Sequence, residues 1–186
     1  MSTGLHLSAD EYDQMVELGS FDHLNRKIEL LRGELREMNP AGPLHDDLIT
    51  YLTNWSARAT SPETIMVTSQ TGLNLAELES RPEPDVMWLR AKRYRGRHPS
   101  ASDVMLAIEV SYTSLQADLR DKAELYAEAG IVEYWIIDAN DRCVHVFRSP
   151  TQRQYADRSV ATIGQTLSPM ASPDVSLDIH ELFLGE

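Results

Sequence analysis

The sequence predicts a mixed α+β domain, a β-sheet of mixed strand direction flanked by helices, and three observations carry that expectation. Val104–Val110 and Glu133–Asp138 are short runs apolar on both faces, as strands covered on both sides of a sheet are. A helical pattern over 114–129 stands between them, and strand–helix–strand is the unit that joins two parallel strands. Ahead of it, Ile28, Leu30, Leu35 and Met38 flank Arg32-Gly33, a hairpin pattern that adds antiparallel strands.

Each element has its own signal. Ser8 with Glu11 three residues on has capping-box spacing, so a short helix is expected over Ala9–Leu18. The hairpin is expected at 27–31 and 34–38, with Gly33 supplying the positive φ of its turn, and Pro40-Ala41-Gly42-Pro43 breaks it. Leu44, Leu48, Tyr51, Leu52 and Trp55 recur at three- and four-residue spacing, which predicts an amphipathic helix over 43–59. Thr64–Ser69, Asp85–Leu89 and Val104–Val110 read as strands, the third of them central. The helix over 114–129 ends at Gly130, the residue suited to a left-handed C′ position, and strands Glu133–Asp138 and Cys143–Arg148 follow. Beyond Pro150 the pattern breaks into scattered strand-like pieces and a last helical turn at Asp178–Phe183, which reads as covering structure.

Composition narrows the class. A chain of 186 residues that is 42% apolar and 25% charged has the size and make-up of one globular domain, 1–186. Seventeen Lys and Arg against 29 Asp and Glu give a net charge of −12, which disfavours nonspecific electrostatic binding to nucleic acid or to an anionic membrane. The local exception is 90–98, where Arg90, Lys92, Arg93, Arg95 and Arg97 surround Tyr94. Cys143 has no partner within the chain and reads as a small buried residue rather than a nucleophile, so a reducing compartment is expected. The N-terminus lacks the basic and apolar regions of a signal peptide and no run approaches a membrane span, so the cytoplasm is the expected location. No phosphate loop, nucleophile elbow, zinc-ligand spacing or dinucleotide fingerprint appears.

Three charged residues stand where apolar ones are expected. Glu109 lies inside the central strand, and a buried carboxylate calls for a partner or a metal. The plain alternative is a hydrated carboxylate at a strand end paired with an Arg. Asp85 opens a strand after Pro84, so two carboxylates can meet at adjacent strand ends; alternatively it only caps a turn. Lys122 falls in step with Leu115, Leu119 and Tyr126 on the inward face of the helix, where it either snorkels beside Asp118 or meets a charge. Together they have the parts of a metal-dependent phosphodiesterase. Carboxylates of this kind suit Mg²⁺ or Mn²⁺, and a lysine can steer a water or stabilise developing charge. Trp135 is expected in the core rather than stacked on a base.

Pro84-Asp85-Val86, Ala107-Ile108-Glu109-Val110, Asp118, Lys122, Tyr126, Gly130 and Glu133-Tyr134-Trp135-Ile136-Ile137-Asp138 resemble the Uma-type restriction-endonuclease family of the PD-(D/E)XK nuclease superfamily. Leu31-Arg32-Gly33-Glu34-Leu35, His45 and the ending Leu177–Phe183 extend the likeness over nearly the whole chain. The resemblance implies a restriction-endonuclease-like mixed sheet and an Mg²⁺- or Mn²⁺-dependent endonuclease acting on nucleic acid, DNA in the first place. Asp85 and Glu109 match the two family acids, Val110 joins them as a metal ligand, and Lys122 is the lysine carried on the helix. Glu34 and His45 match N-terminal polar residues placed near the site. For His45 a packing or hydrogen-bonding role in the first helical turn is the alternative. Where the superfamily usually has its lysine, two residues after the second acid, this chain has Ser111. A homodimer is expected because cutting two strands pairs two sites. The rival reading is a non-catalytic interaction module that keeps the fold.

Overall fold

The computed structural model describes residues 5–38 and 42–184. Its centre is a six-stranded sheet of β3 (Ile65–Ser69), β4 (Val86–Arg90), β5 (Val104–Ser111), β6 (Glu133–Asp138), β7 (Cys143–Thr151) and β8 (Gln154–Thr162), in that spatial order. Only β5 and β6 run parallel; every other neighbouring pair in this sheet is antiparallel. The mixed α/β class expected from the crossover is the one observed. Among the described residues no helix is long and apolar enough to cross a membrane.

The crossover helix is not regular. It runs as α3 (Leu115–Ala117), a π-helical segment Asp118–Lys122, and α4 (Ala123–Glu128), where the sequence pattern suggests one α-helix. Its end is a Schellman cap: Gly130 N–H donates to Ala127 O and Ile131 N–H to Tyr126 O, both at 3.0 Å, with Gly130 at φ +79°.

Two apolar layers sandwich the sheet. On one face, α2 (Pro43–Ala59) and the C-terminal tail, with α5 (Ile179–Leu184), bury Leu48 and Leu52 against Trp88, Ile108 and Trp135. Trp135 is fully buried, as expected. On the other face, the α3–α4 segment packs Leu125, Tyr126 and Ala127 over Met87, Ala107, Tyr134 and Ile136. A satellite layer holds α1 (Ala9–Glu17), capped by the Ser8–Glu11 box, against the hairpin of β1 (Ile28–Leu31) and β2 (Glu34–Glu37). Both hairpin turn residues have positive φ, Arg32 at 51° and Gly33 at 77°, the geometry of a type I′ turn. The Pro40-Ala41 part of the expected breaker lies outside the described residues.

The tail is locked down by one buried carboxylate. Glu133 is fully buried and accepts from Trp135 Nε1 at 2.9 Å, Arg148 Nε at 2.8 Å and Met170 N–H at 2.7 Å. Glu133→Ala strands all three donors, so equilibrium urea unfolding should show a loss of about 3 kcal/mol or more. Glu133→Gln, which keeps an acceptor oxygen, should lose clearly less.

Candidate functional site

Asp85 and Glu109 come together because of strand register. Val86 pairs with Ile108 and Met87 with Ala107 across antiparallel β4 and β5, so Asp85 stands opposite Glu109 one step further along. Both side chains lie on the face that packs against the α3–α4 segment, and both residues are 3% exposed. Asp85 is fixed by Val110, whose N–H donates to Oδ2 at 2.7 Å. Val110 lines the cleft through its main chain, its side chain being part of the opposite core layer.

Lys122 reaches this pair from the helix. Its Nζ donates to Glu109 Oε1 at 2.9 Å and lies 3.5 Å from Glu29 Oε2, and Tyr126 O–H donates to the same Glu109 oxygen at 2.8 Å. Lys122 therefore meets a buried charge and does not snorkel. In place of the alternative Lys122–Asp118 pair, Asp118 accepts hydrogen bonds from the hydroxyls of Ser111 and Ser114. Ser111, at the usual lysine position, thus anchors the start of the helix to β5. The π-helical segment spans both Asp118 and Lys122 and seats both side chains in the interior.

Four buried carboxylates, Glu29, Asp85, Glu109 and Asp118, line the same cleft as the buried Lys122 ammonium. Burial opposes the charge on Lys122, but Glu109, Glu29 and Asp118 outweigh it and raise its proton affinity, so the ammonium stays protonated. Burial also raises the Glu109 carboxyl well above its usual range; Lys122 opposes this, while Asp85, Asp118 and Glu29 add to it. Glu29 is raised for the same first reason, against the pull of Lys122.

His45, in the first turn of α2, places Nε2 3.6 Å from Asp85 Oδ2, an ion-pair rather than a hydrogen-bond distance. Its contact with Asp85 raises the proton affinity of the imidazole against the burial that lowers it. Glu34 is not brought to the site. It is exposed on β2 and paired with Arg36 at 2.8 Å; the hairpin acids that line the cleft are Glu29 and Glu37, and of these Glu29 is the buried one. Glu29 alternates with Ile28 and Leu30, which made it look like a solvent-facing strand residue.

These groups form the floor of an open cleft of about 1090 Å³ between the β1–β2 hairpin, the start of α2 and the start of the crossover helix. Arg26, Lys27 and Arg36 stand on the hairpin side of it. The basic segment 90–98 leaves the far end of β4, five residues beyond Asp85, and contributes nothing to the cleft lining. There Lys92 is paired with Asp103, and Arg90 donates to Ser102 O.

Hard divalent cations take oxygen donors and need only one or two protein carboxylates. Asp85 Oδ1 and Glu109 Oε2 have no hydrogen-bond partner among the described residues, so the donor set fits Mg²⁺ or Mn²⁺. Among the described residues, the group of three acidic, Cys or His side chains whose ligand atoms all lie within 4.8 Å of one another is Asp138, Cys143 and His145. Burial, with Asp138 and Asp141 adding, raises the Cys143 thiol above its usual value, the opposite of an activated nucleophile.

A search of curated proteins finds no match. Among solved structures, a crystal structure described as a "putative nuclease belonging to DUF820" from Anabaena variabilis aligns with a TM-score of 0.73 at 14% identity, over 95% of this chain and 97% of that one. At that identity the likeness shows a shared fold. The model of the Uma2 family, described as "Putative restriction endonuclease", matches residues 9–180, and the chain belongs to that family.

Proposed function

We propose that the chain is an Mg²⁺- or Mn²⁺-dependent nuclease that hydrolyses phosphodiester bonds in nucleic acid, with DNA as the preferred substrate. The observation that carries this reading is the buried excess of carboxylates over cations at the floor of an open cleft. Such an excess is costly unless protons or a cation offset it. In this reading Asp85, Glu109 and the main-chain carbonyl of Val110 hold the ion. The bound cation supplies Lewis-acid polarisation of the phosphate and a more acidic water.

The chain's own residues do the rest. Lys122 keeps its proton, so it serves as a fixed cation for the negative charge that builds on the phosphate, not as a base. Glu109, Glu29 and Tyr126 hold that ammonium and its carboxylate partner in place. His45 adds a second partial positive charge beside Asp85. Arg26, Lys27 and Arg36 sit in half-exposed ion pairs that cost little to exchange for substrate phosphates. Cutting both strands of a duplex calls for two such sites, so the proposal extends to a homodimer, acting in the cytoplasm.

One observation favours the non-catalytic alternative: Lys122 already bonds Glu109, which partly neutralises the cluster without a metal. The two readings separate in one assay. Purified protein is incubated with supercoiled plasmid, single-stranded DNA and RNA, each with Mg²⁺, Mn²⁺ or EDTA. Metal-dependent cutting of DNA that Glu109→Gln abolishes is the expected result. No cutting of any substrate by freshly folded protein would favour the interaction module.

A further inference from the structure

The β6–β7 hairpin assembles a cluster on the same sheet face as Glu109 but outside the cleft. Asp138 and Cys143 are directly paired across the hairpin, and His145 follows Cys143 by two residues, so both β7 side chains point to one face. His145 Nε2 lies 3.8 Å from Asp138 Oδ2 and 3.8 Å from Cys143 Sγ. Asp138 and Cys143 are buried, and the Asp138 Oδ1 atom is already engaged by the N–H groups of Asn140 and Asp141. That engagement leaves Oδ2 turned toward the imidazole and thiol.

The short spacing within this group explains why the sequence carries no zinc signature. Zinc motifs are recognised by ligand pairs in turns and helices. Here one ligand comes from the strand before the turn, and the other two come from a Cys-x-His step along the next strand, a pattern that only strand pairing converges. Cys143 is buried and free, as the sequence reading expects, and its thiol faces this group.

We propose that Asp138, Cys143 and His145 bind a borderline or soft divalent ion of the Zn²⁺ class, separate from the Mg²⁺ or Mn²⁺ site. Bonds of about 2.0–2.3 Å at tetrahedral angles put neighbouring ligand atoms about 3.3–3.6 Å apart, within a few tenths of an ångström of the separations seen to His145. A thiolate with an imidazole selects Zn²⁺ and Co²⁺ over the hard Mg²⁺. On binding, the Cys143 S–H bond breaks, its proton goes to solvent and the sulfur keeps the electron pair as a ligand. Three protein ligands leave a fourth position for water. The entry path is a hollow of about 350 Å³ lined by His145, Leu119, Phe147 and Arg158, through which the imidazole meets solvent.

The cluster also abuts the cleft. Asp138 pairs with Ser111 across parallel β5 and β6, and Ser111 holds Asp118. An ion at Asp138 would therefore brace the strand ends from which the crossover helix starts.

Co²⁺ is the probe, because thiolate ligation gives an intense charge-transfer absorption that hydrated Co²⁺ lacks. Full-length protein titrated with Co²⁺ should develop this band to one equivalent, and one equivalent of Zn²⁺, but not excess Mg²⁺, should erase it. Cys143→Ser should lack the band, and His145→Ala, at a partly exposed position, should weaken Co²⁺ binding by about 100-fold or more. Asp85→Asn should leave the band unchanged. Absence of the band in the wild-type protein would overturn the proposal, as would its loss in Asp85→Asn or its displacement by Mg²⁺. None of these readings depends on nuclease activity.

Discussion

Asp85→Asn should lower metal-dependent phosphodiester cleavage by about a thousandfold or more while leaving thermal unfolding nearly unchanged. The asparagine keeps the size of the side chain and can still present a carbonyl oxygen to the Val110 N–H, so the strand-end geometry survives. It removes one full charge from the pair of carboxylates that would hold the cation, and a neutral amide is a poor ligand for a hard divalent ion. Losing that charge also relieves Glu109, whose proton affinity Asp85 helps to raise. The apo protein should therefore be no less stable than wild type, and the loss belongs to chemistry. Single-turnover cleavage with saturating Mn²⁺, alongside a denaturation curve, checks both halves.

Lys122→Met should have the opposite profile in stability. Without the ammonium, Glu109 and Glu29 remain buried with no cation between them, and the metal-free protein should lose about 3–5 kcal/mol. Methionine fills most of the vacated volume, so the loss reports charge rather than a cavity. Added Mn²⁺ then has more uncompensated negative charge to offset. The rise in unfolding midpoint on adding Mn²⁺ should be larger in Lys122→Met than in wild type, although cleavage falls by about 100-fold or more. Guanidinium melts with and without Mn²⁺ test this. A variant as stable as wild type without metal would mean that Lys122 does not offset the carboxylates.

Much of this arrangement is legible in the sequence because it follows from short-range periodicity. The helix α2 begins and ends where its apolar spacing places it, at Pro43 and Ala59. The Gly130 cap and the parallel β5–β6 pair follow from local signals in the same way. Lys122 was visible because a charge on an apolar helix face breaks a period. The β8 strand was not, since only Tyr155 and Ala161 of its nine residues are buried and an edge strand of that kind shows no alternation. Glu29 was missed for a related reason. It sits on what looks like the wet face of a hairpin, and only the docking of that hairpin over the sheet turns this face into the wall of a cleft. The π-helical segment is equally invisible to a 3.6-residue pattern, because the widened turn at Asp118–Lys122 arises where Ser111 and Ser114 pull Asp118 inward. Glu34 shows the converse error: a residue that matches a family position can still point its side chain to solvent.

The central claim is that the Asp85–Glu109 pair holds a hard divalent cation, and calorimetric titration of Mg²⁺ tests it most directly. Cys143→Ser serves as the background, so that the thiol-bearing cluster contributes no heat. One saturable Mg²⁺ site that disappears when Asp85→Asn is added is the predicted result. Equal Mg²⁺ binding by the two proteins, or none by either, would contradict it.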